Sequence, residues 1–325
     1  MNKPTDKNLT LSIDIGGTNT AFGIIDAEGN ILCRGSHPTT GHNSFNDYIK
    51  SMRSTVEASL TEAGIDYDRL AAIGVGAPCL NCDTGVIEGA VNLPWPSPLP
   101  LTQSLTETFS LPAVGDNDAN AAALGEMCFG AVKGLDNFIM ITLGTGVGSA
   151  IICDGHLLRG HRGLAGELGH TLIRRGNDAR QCNCGRRGCL DAYVSAGGVV
   201  NTARELLAES DRPSALRSVE TLHAKAIAQA AEAGDELAQE VFRLTGEILG
   251  EACADFVAIS SPQAFVFFGG VANAFHLFEQ TLRSSFNRNL LWVYEGQTEF
   301  IKSTLPLADS ALLGAAASAR VRLGL

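Results

Sequence analysis

An internal repeat constrains the fold of this chain more than any other feature of its 325 residues. The segment IDIGGT at residues 13–18 returns as ITLGTG at residues 141–146, and IID at residues 24–26 returns at the same offset as ICD at residues 152–154. Each copy alternates apolar residues around a glycine turn, a pattern that predicts a β-hairpin. Because the two copies share one hairpin register, the sequence predicts two similar α/β halves in one chain.

Apolar periodicity predicts the helices and further strands of these halves. Apolar residues recur at helical spacing from Phe45 to Leu60 and predict a helix over residues 45–63 that ends at Gly64. Further helices are predicted over residues 119–129, 191–208, 221–233, 236–259 and 311–322. Strands outside the two hairpins are predicted over residues 31–34, 72–75, 113–115 and 264–268.

Composition and charge narrow the class of protein. Apolar residues make up 45% of the sequence and the mean hydropathy is +0.10, so the chain can bury large cores and a disordered protein is excluded. The net charge of −11 repels phosphate backbones and anionic lipid, so we expect neither nucleic acid nor a membrane as a partner. The first ten residues are polar and no apolar run reaches about 18 residues, from which we expect a cytoplasmic protein.

The two glycine turns carry the first candidate chemistry. Glycine lets a backbone approach a ligand closely and present its amide groups to an anion. Either turn alone fits a simple tight turn, whereas two matched turns with threonine hydroxyls favour the binding of a triphosphate. Neither turn is a Walker P-loop, because no Gly-Lys-Ser/Thr follows it. The candidate phosphate-binding residues are Gly16, Gly17, Thr18, Gly144, Thr145 and Gly146.

Three acceptor-rich residues, Asp116, Asn117 and Asp118, separate a predicted strand from a predicted helix. Such residues at this junction cap helices. They equally fit a ligand site, because open α/β sheets bind ligands beyond the carboxyl ends of their strands. Position alone leaves both interpretations open.

One histidine and three cysteines lie within twenty residues and predict a metal site. Three thiolates and one imidazole complete the tetrahedral shell of Zn²⁺ and leave no position for substrate, so the predicted site is structural. The alternative, inert buried thiols, is disfavoured because the intervening residues are polar and include Arg186 and Arg187. The predicted ligands are His170, Cys182, Cys184 and Cys189.

Six motifs follow one another along nearly the whole chain: DIGGT from Asp14, GVGAP from Gly74, ND from Asn117, LGTGVG from Leu143, GELGH from Gly166 and CNCGRRGC from Cys182. In this order they resemble the ROK (repressor, open reading frame, kinase) family, and NLPW from Asn92 and NDANA from Asn117 are similar to its bacterial glucokinase branch. The resemblance implies an α/β, actin/hexokinase-like (ribonuclease H-like) duplicated two-domain fold with a cleft between the domains. This agrees with the internal repeat.

The resemblance and the pattern of elements together predict the domains. Residues 1–117 and a C-terminal helix over about 310–325 form a small α/β domain, and residues 118–309 form a large α/β domain that carries the zinc loop. The resemblance further implies a homodimer.

The resemblance also implies roles for individual residues. Asp118 is the general base that takes the proton of the sugar 6-hydroxyl as it attacks the γ-phosphate of ATP. Asp14 holds the Mg²⁺ that accompanies ATP, and Gly269, Gly270 and residues 195–198 border the adenosine. His170 binds zinc through one ring nitrogen and faces the sugar with the other. The implied sugar-binding residues are Asn92, Asn117, Glu167, His170 and Asp191.

Two positions depart from the family pattern. Asp191 stands where the family commonly has Glu near the anomeric end of the sugar. The shorter carboxylate either reaches the sugar through water, or favours another epimer, or only caps a helix near Ala192. Cys79 stands where Gly usually follows the Gly-Ala-Pro segment and forms a C-x-x-C pair with Cys82. A redox role for this pair has little support, because no helix N-terminus lowers the pKa of a thiol there.

We therefore expect an ATP-dependent hexose kinase, with glucose as the first choice of substrate. The alternatives are a kinase for another hexose or N-acetylhexosamine, such as N-acetylmannosamine, fructose or allose, and a sugar-responsive repressor of the same family that lacks its DNA-binding domain. The repressor is disfavoured because only about ten residues precede the first hairpin and the chain is acidic. The sequence leaves the preferred sugar and the choice between ATP and polyphosphate undecided.

Overall fold

A computed structural model describes residues 7–90, 92–161 and 163–325, and these residues divide into two units. The first six residues of the polar N-terminal segment lie outside the described part. The first unit contains the described residues of Met1–Gly134, Gly160–Gly163 and Thr304–Leu325. The second unit contains Leu135–Arg159 and Leu164–Ser303.

The described residues form both strands and helices in each unit. The strands are β1 (Leu9–Ile15), β2 (Asn19–Ile25), β3 (Ile31–Pro38), β4 (Leu70–Gly76), β5 (Leu80–Asn81), β6 (Val86–Ile87), β7 (Ala113–Asp116), β8 (Phe138–Leu143), β9 (Val147–Cys153), β10 (His156–Leu157), β11 (Ala264–Phe268) and β12 (Glu299–Lys302). The α-helices are α1 (Phe45–Ala63), α2 (Leu101–Phe109), α3 (Asp118–Phe129), α4 (Asp191–Val194), α5 (Ala196–Glu209), α6 (Ala224–Glu232), α7 (Glu236–Ser260), α8 (Phe275–Asn289) and α9 (Ser310–Leu323). No helix in the described ranges has both the length and the apolar character that crossing a membrane requires.

The main sheets of the two units repeat one topology. The first sheet has the order β3-β2-β1-β4-β7, and the second has the order β10-β9-β8-β11-β12. In each, three antiparallel strands are followed by two strands that join in parallel. The repeated glycine segments form the β1–β2 and β8–β9 turns. The predicted duplication, and with it the predicted fold class, is confirmed.

Helix α1 has the predicted bounds, and its ends show why. The hydroxyl of Ser44 accepts a hydrogen bond from the backbone N–H of Asp47 at 3.1 Å, which caps the first turn. Gly64 ends the helix with φ of 67°, a left-handed conformation that favours glycine. Between these ends, the apolar face from Phe45 to Leu60 is buried in the core of the first unit.

Helix α3 belongs to the first unit, which differs from the boundary predicted after residue 117. A Cβ atom on Gly314 of α9 would lie 2.7 Å from the carbonyl oxygen of Ala121 in α3, so the two helices pack backbone to backbone. The fully buried Glu126 of α3 also accepts hydrogen bonds from the backbone N–H groups of Ala131 at 2.6 Å and Leu305 at 3.3 Å. Gly314 and Leu305 lie far from α3 in the sequence, so no local pattern predicts these contacts.

The second unit corrects one predicted helix. Residues 191–208 form two helices, α4 and α5, because Ser195 adopts an extended conformation with φ of −66° and ψ of 170°. Its hydroxyl accepts a hydrogen bond from the backbone N–H of Gly198 at 3.2 Å and caps α5. The apolar periodicity runs through this break, so periodicity alone predicted one continuous helix.

The other predicted helices and strands are present, although β3 extends to Pro38. Helices α2 and α8 and strand β12 were not predicted from the sequence. For α8 the signal is present, since Phe275, Phe278, Leu282 and Phe286 share one helical face and are all buried.

Replacing Gly314 by Ala is expected to destabilise the first unit, because the added methyl group meets the backbone of α3. Overpacking of this kind costs about 1–3 kcal/mol in the free energy of unfolding. The control is Gly197→Ala, an exposed helical position whose Cβ would have no atom closer than 3.8 Å. Chemical denaturation should show Gly314→Ala weakened and Gly197→Ala unchanged or slightly stabilised. Equal stability of the two variants would contradict the close helix contact.

Candidate functional site

The first glycine turn is shaped by close backbone contacts. The N–H of Gly16 donates to the carbonyl of Asn19 at 3.1 Å, and a Cβ on Gly16 would lie 2.7 Å from that oxygen. A Cβ on Gly17 would lie 2.8 Å from the carbonyl oxygen of Asn92. Neither glycine has a positive φ, so space rather than backbone conformation requires glycine here. The turn and the predicted sugar residue Asn92 are therefore neighbours within the first unit.

Two carboxylates lie near one another in the same unit. Asp14 is half-buried near the end of β1, and Asp118 is exposed at the start of α3. Burial raises the pKa of Asp14, and the nearby carboxylate of Asp118 raises it further. A pair of mutually repelling carboxylates can share a cation or a proton.

Asn117 and Asp116, the other two residues of the Asp-Asn-Asp segment, make different contacts. The side-chain oxygen of Asn117 accepts a hydrogen bond from the backbone N–H of Asn120 at 2.8 Å, so the helix-capping interpretation holds for this residue. Asp116 is buried, and its carboxylate lies 3.7 Å from the guanidinium of Arg322. Capping is thus supplied by Asn117. Oδ1 of the exposed Asp118 accepts a hydrogen bond from the backbone N–H of Ala119 at 2.9 Å, which leaves Oδ2 for a ligand.

The second glycine turn lies in the second unit and has its own supports. The N–H of Gly144 donates to the carbonyl of Gly146 at 3.0 Å, and the carbonyl of Gly144 accepts from the first residue of α5, Ala196, at 2.9 Å. The carboxylate of Asp191 accepts from the backbone N–H of Val147 at 2.7 Å. Strand, helix and carboxylate together fix the course of this turn.

A cavity of about 620 Å³ opens beside the second turn within the second unit. Three of the residues singled out in the sequence line it, namely Gly144, Thr145 and Gly270. Its neighbour Gly269 has φ of 104°, and a Cβ there would lie 2.7 Å from the carbonyl oxygen of Leu143. Ala196 of the predicted segment 195–198 also lines the cavity. Sequence reasoning missed the rest of the lining, which α6, α7 and the segment after Gly270 supply. These residues include Lys225, Ala228, Gln229, Glu232, Val271 and Asn273.

The predicted metal ligands are gathered in one place. One ligand atom from each of the four residues lies within 4.8 Å of all the others. Nδ1 of His170 lies 3.8 Å from Sγ of Cys182, and Sγ of Cys184 lies 3.6 Å from Sγ of Cys189. This set of donors and its close spacing fit a single Zn²⁺ ion.

The pKa values of two of the thiols, Cys184 and Cys189, shift in opposite directions. The backbone N–H and guanidinium of Arg186 lower the pKa of Cys184 to about 6, which favours its thiolate. Burial, followed by the neighbouring thiols, raises the pKa of Cys189 to about 12. A buried thiol of this kind ionises when a cation takes the place of its proton.

The other predicted sugar residues of the second unit share one turn. Glu167 and His170 bracket a short 3-10 turn, in which the N–H of His170 donates to the carbonyl of Glu167 at 3.0 Å. A Cβ on Gly169 would lie 2.1 Å from the carbonyl oxygen of Val147, so this turn packs directly on the start of β9. Both side chains line a cavity of about 540 Å³ together with Arg186.

Asp191 does not cap a helix, and that interpretation is wrong. It is the first residue of α4, and α4 has no side-chain cap. One carboxylate oxygen accepts the hydrogen bond from Val147, and the other lies 3.9 Å from Sγ of Cys182. Asp191 therefore connects the second glycine turn with the Cys/His cluster.

Cys79 departs from the family pattern at a position that favours glycine. Its φ is 53°, in the left-handed region that only glycine adopts without cost. Cys79 is exposed and Cys82 is buried. The structure thus gives a backbone reason for the usual glycine.

The chain is similar to known proteins over most of its length. The profile of the ROK family matches residues 10–322. A glucokinase of Halalkalibacterium halodurans is 34% identical over 309 residues, which cover 94% of this chain and 92% of that protein. An N-acetylmannosamine kinase of Escherichia coli is 33% identical over 273 residues, which cover 82% of this chain and 84% of that protein. The crystal structure of a ROK family glucokinase from Streptomyces griseus in complex with glucose and AMPPNP is 33% identical, covers 96% of this chain and 99% of that one, and has a TM-score of 0.71.

Removing the carboxylate of Asp191 is expected to destabilise the second unit, because the partly buried N–H of Val147 loses its partner. An unpaired buried donor costs about 1–3 kcal/mol. Asp191→Ala should therefore lower the free energy of unfolding in chemical denaturation by more than Asp191→Asn, which keeps an acceptor oxygen. Equal losses in the two variants would show that this hydrogen bond contributes little.

Proposed function

Because this chain belongs to the ROK family, we propose that it is an ATP-dependent hexose kinase that phosphorylates the 6-hydroxyl of glucose. Support comes from relatives named glucokinase over most of the chain and from the similar crystal structure in complex with glucose and AMPPNP. The observation that carries the proposal is the exposed carboxylate of Asp118, close enough to Asp14 to shift its pKa, in the unit that holds the first glycine turn.

The proposed chemistry of the first unit rests on these two carboxylates. Asp118 takes the proton from the 6-hydroxyl as the oxygen attacks the γ-phosphate, which keeps the attacking atom nucleophilic. Asp14 would hold Mg²⁺ with ATP, and the ion would neutralise charge on the transferred phosphoryl group. The amide of Gly17 and the hydroxyl of Thr18 approach the phosphates, and Gly16, whose N–H is bonded to the carbonyl of Asn19, shapes the turn. Asn92, held against Gly17, contributes to sugar binding together with Asn117.

The second unit supplies the nucleotide cavity and further sugar contacts in this proposal. The 620 Å³ cavity beside Thr145 and Gly270 has room for a nucleoside, and its lining mixes an apolar floor with Gln229 and Asn273. Glu167 and His170 are the proposed hydrogen-bond partners of the sugar hydroxyls. Their common turn fixes the spacing between them.

The hydrogen bond that Asp191 makes to the second turn limits how it can reach the sugar. Its Oδ2 atom is engaged by the N–H of Val147 at 2.7 Å, and it is one methylene shorter than the Glu of the family pattern. We propose that it approaches the anomeric end of the sugar through water. The preference among epimers is then set by this longer path.

Zn²⁺ is the proposed structural ion of the second unit. His170, Cys182, Cys184 and Cys189 would hold it, and their donor types and spacing fit a closed tetrahedral site. When bound, the ion would contribute folding free energy to a polar loop that has little core of its own. Nδ1 of His170 faces the thiols, which leaves Nε2 for the sugar.

A kinase for another sugar is the second candidate. The N-acetylmannosamine kinase similarity and the shorter Asp191 both favour testing N-acylated hexosamines, and fructose and allose complete the set. A sugar-responsive repressor would bind sugar and DNA without transferring phosphate, and the net charge of −11 opposes that function.

We propose that the protein works in the cytoplasm as a homodimer. The thiols of Cys33, Cys128 and Cys253 are free, as expected in a reducing compartment. The homodimer rests on the family resemblance, and sedimentation analysis of the purified protein tests it.

A coupled assay of ADP release tests the proposed activity. Glucose, mannose, fructose, allose, N-acetylglucosamine and N-acetylmannosamine are compared as acceptors, and polyphosphate replaces ATP in a parallel series. The proposal expects the highest kcat/KM with glucose and ATP. A higher value for another sugar would assign that sugar instead, and phosphate transfer to none of them would refute the kinase.

Asp118→Ala is expected to lower kcat by about 10²–10⁴-fold, since a general base contributes that much to the rate. The side chain is exposed, so the thermal unfolding temperature should change little. Glucose titration calorimetry on the same sample checks that the sugar still binds. Near wild-type turnover by the folded variant would remove Asp118 from the role of base.

Elemental analysis is expected to find about one zinc per chain. Cys184→Ser should lose the zinc and with it activity, because the closed site needs all four ligands. Cys153→Ser is the matched control, a free thiol of the second unit outside the cluster, and should keep both. Active wild-type protein without zinc would contradict the assignment.

A further inference from the structure

A chain of buried hydroxyl groups ends on the first glycine turn. The phenol of Tyr48 lies 2.6 Å from the hydroxyl of Thr20, which lies 2.9 Å from the hydroxyl of Thr39. The hydroxyl of Thr39 then donates to the carbonyl of Gly16 at 2.8 Å. All three side chains are fully buried, so no bulk water competes for these bonds. The nucleotide and sugar binding proposed above assigns no role to this row of hydroxyl groups.

The terminal carbonyl fixes the direction of every bond in the chain. The oxygen of Gly16 can only accept, so Thr39 must donate to it and must accept from Thr20. Thr20 in turn must accept from Tyr48. Donation in one direction along a row of hydroxyl groups strengthens each bond through polarisation. Burial raises the pKa of Tyr48 to about 12, so the first donor keeps its proton at physiological pH.

Thr39 orients the peptide group that carries the amide of Gly17. The peptide unit is planar and trans, so its N–H points opposite to its C=O. The hydroxyl of Thr39 holds the carbonyl of Gly16, and the backbone N–H of Thr39 donates to the carbonyl of Thr18 at 2.9 Å. Because one residue binds the carbonyls on both sides of Gly17, the N–H of Gly17 is directed away from Thr39.

The ring of Tyr48 links this turn to the loop that carries Asn92. Its centroid lies 4.8 Å from the ring of Trp95, three residues after Asn92. The carbonyl of Asn92 lies against Gly17, where a Cβ would be 2.8 Å away. Tyr48 therefore contacts the glycine turn in two ways. Its phenol reaches the turn through the hydroxyls of Thr20 and Thr39, and its ring packs against the Asn92 loop, which itself contacts the turn.

We propose that Thr39 and Tyr48 are positioning residues for phosphoryl transfer, which aim the amide of Gly17 at the phosphates of the nucleotide and hold it in register with the Asn92 loop. This inference rests on the proposed function of the first glycine turn. The hydroxyl groups touch neither phosphate nor sugar, and they act through the direction of one peptide group.

Thr39→Val and Tyr48→Phe remove single hydroxyl groups and keep the shape of the side chains. Each should raise the KM for MgATP and the dissociation constant of ADP by about tenfold, the effect of one lost hydrogen bond on a bound phosphate. Thr39→Ser keeps the hydroxyl and should restore wild-type values. In the double variant the losses should fall short of additivity, because both substitutions interrupt one chain.

Tyr67→Phe is the matched control. The phenol of Tyr67 donates to the carbonyl of Phe109 at 2.6 Å in the same unit, so this variant also loses one hydrogen bond to the protein. It should lower the unfolding temperature as Tyr48→Phe does and leave the KM for MgATP and the binding of ADP unchanged. A purely structural role of the hydroxyl chain would make the two tyrosine variants alike in every measurement.

Unchanged nucleotide KM and ADP affinity in Thr39→Val and Tyr48→Phe, with only the unfolding temperature lowered, would overturn the inference. Calorimetric titration with ADP separates this outcome from failure of the proposed function. If wild-type protein binds ADP but phosphorylates no hexose, the kinase proposal fails, and the ADP affinities of the variants still decide the role of the hydroxyl chain. Absence of ADP binding to the wild type would also overturn the inference.

Discussion

The direction of the peptide groups in the two glycine turns is the constraint on which the rest of the structure depends. A glycine turn has no side chain to hold it, so neighbouring groups must fix its amides. In the first unit the hydroxyl and N–H of Thr39 bind the carbonyls of Gly16 and Thr18. In the second unit the carbonyl of Gly144 accepts from Ala196, and Asp191 accepts from the N–H after the turn. Both copies of the repeat form the turn, but different hydrogen-bonding groups hold it in each unit.

The groups that hold the second glycine turn bring together residues that are far apart in the sequence. Asp191 joins the second turn to the Cys/His cluster, since its two oxygens face Val147 and Cys182. Ser195 breaks a helix so that α5 can begin at Ala196, whose N–H holds Gly144. In this unit the Cys/His cluster, the helix break and the glycine turn are parts of one hydrogen-bonded arrangement. A substitution in any of these three parts is expected to disturb the turn, because buried donors need hydrogen-bond partners.

Much of the fold could be predicted, because its signals are local. The hairpins, α1 and α7 follow from alternation, helical spacing and end signals such as Ser44 and Gly64. The boundary after residue 117 could not, since α3 joins the first unit through a contact between Gly314 and Ala121 that are far apart in sequence. The hydrogen bond of Asp191 could not be predicted for the same reason, because its partner Val147 lies 44 residues earlier.

The sequence by itself determined the duplicated α/β architecture, the two glycine turns, the histidine and three cysteines at the spacing of a metal site, and the resemblance to the ROK family. These are properties of residue type and spacing, and local backbone preferences are enough to express them. Only the tertiary structure decided what each polar group touches. It assigned helix capping to Asn117 rather than Asp118, took the carboxylate of Asp191 to a backbone amide, and brought Tyr48, Thr20 and Thr39 into one row behind Gly16. The physical reason is that a buried hydroxyl or carboxylate must find a partner wherever packing leaves one, and packing joins residues that no sequence pattern relates.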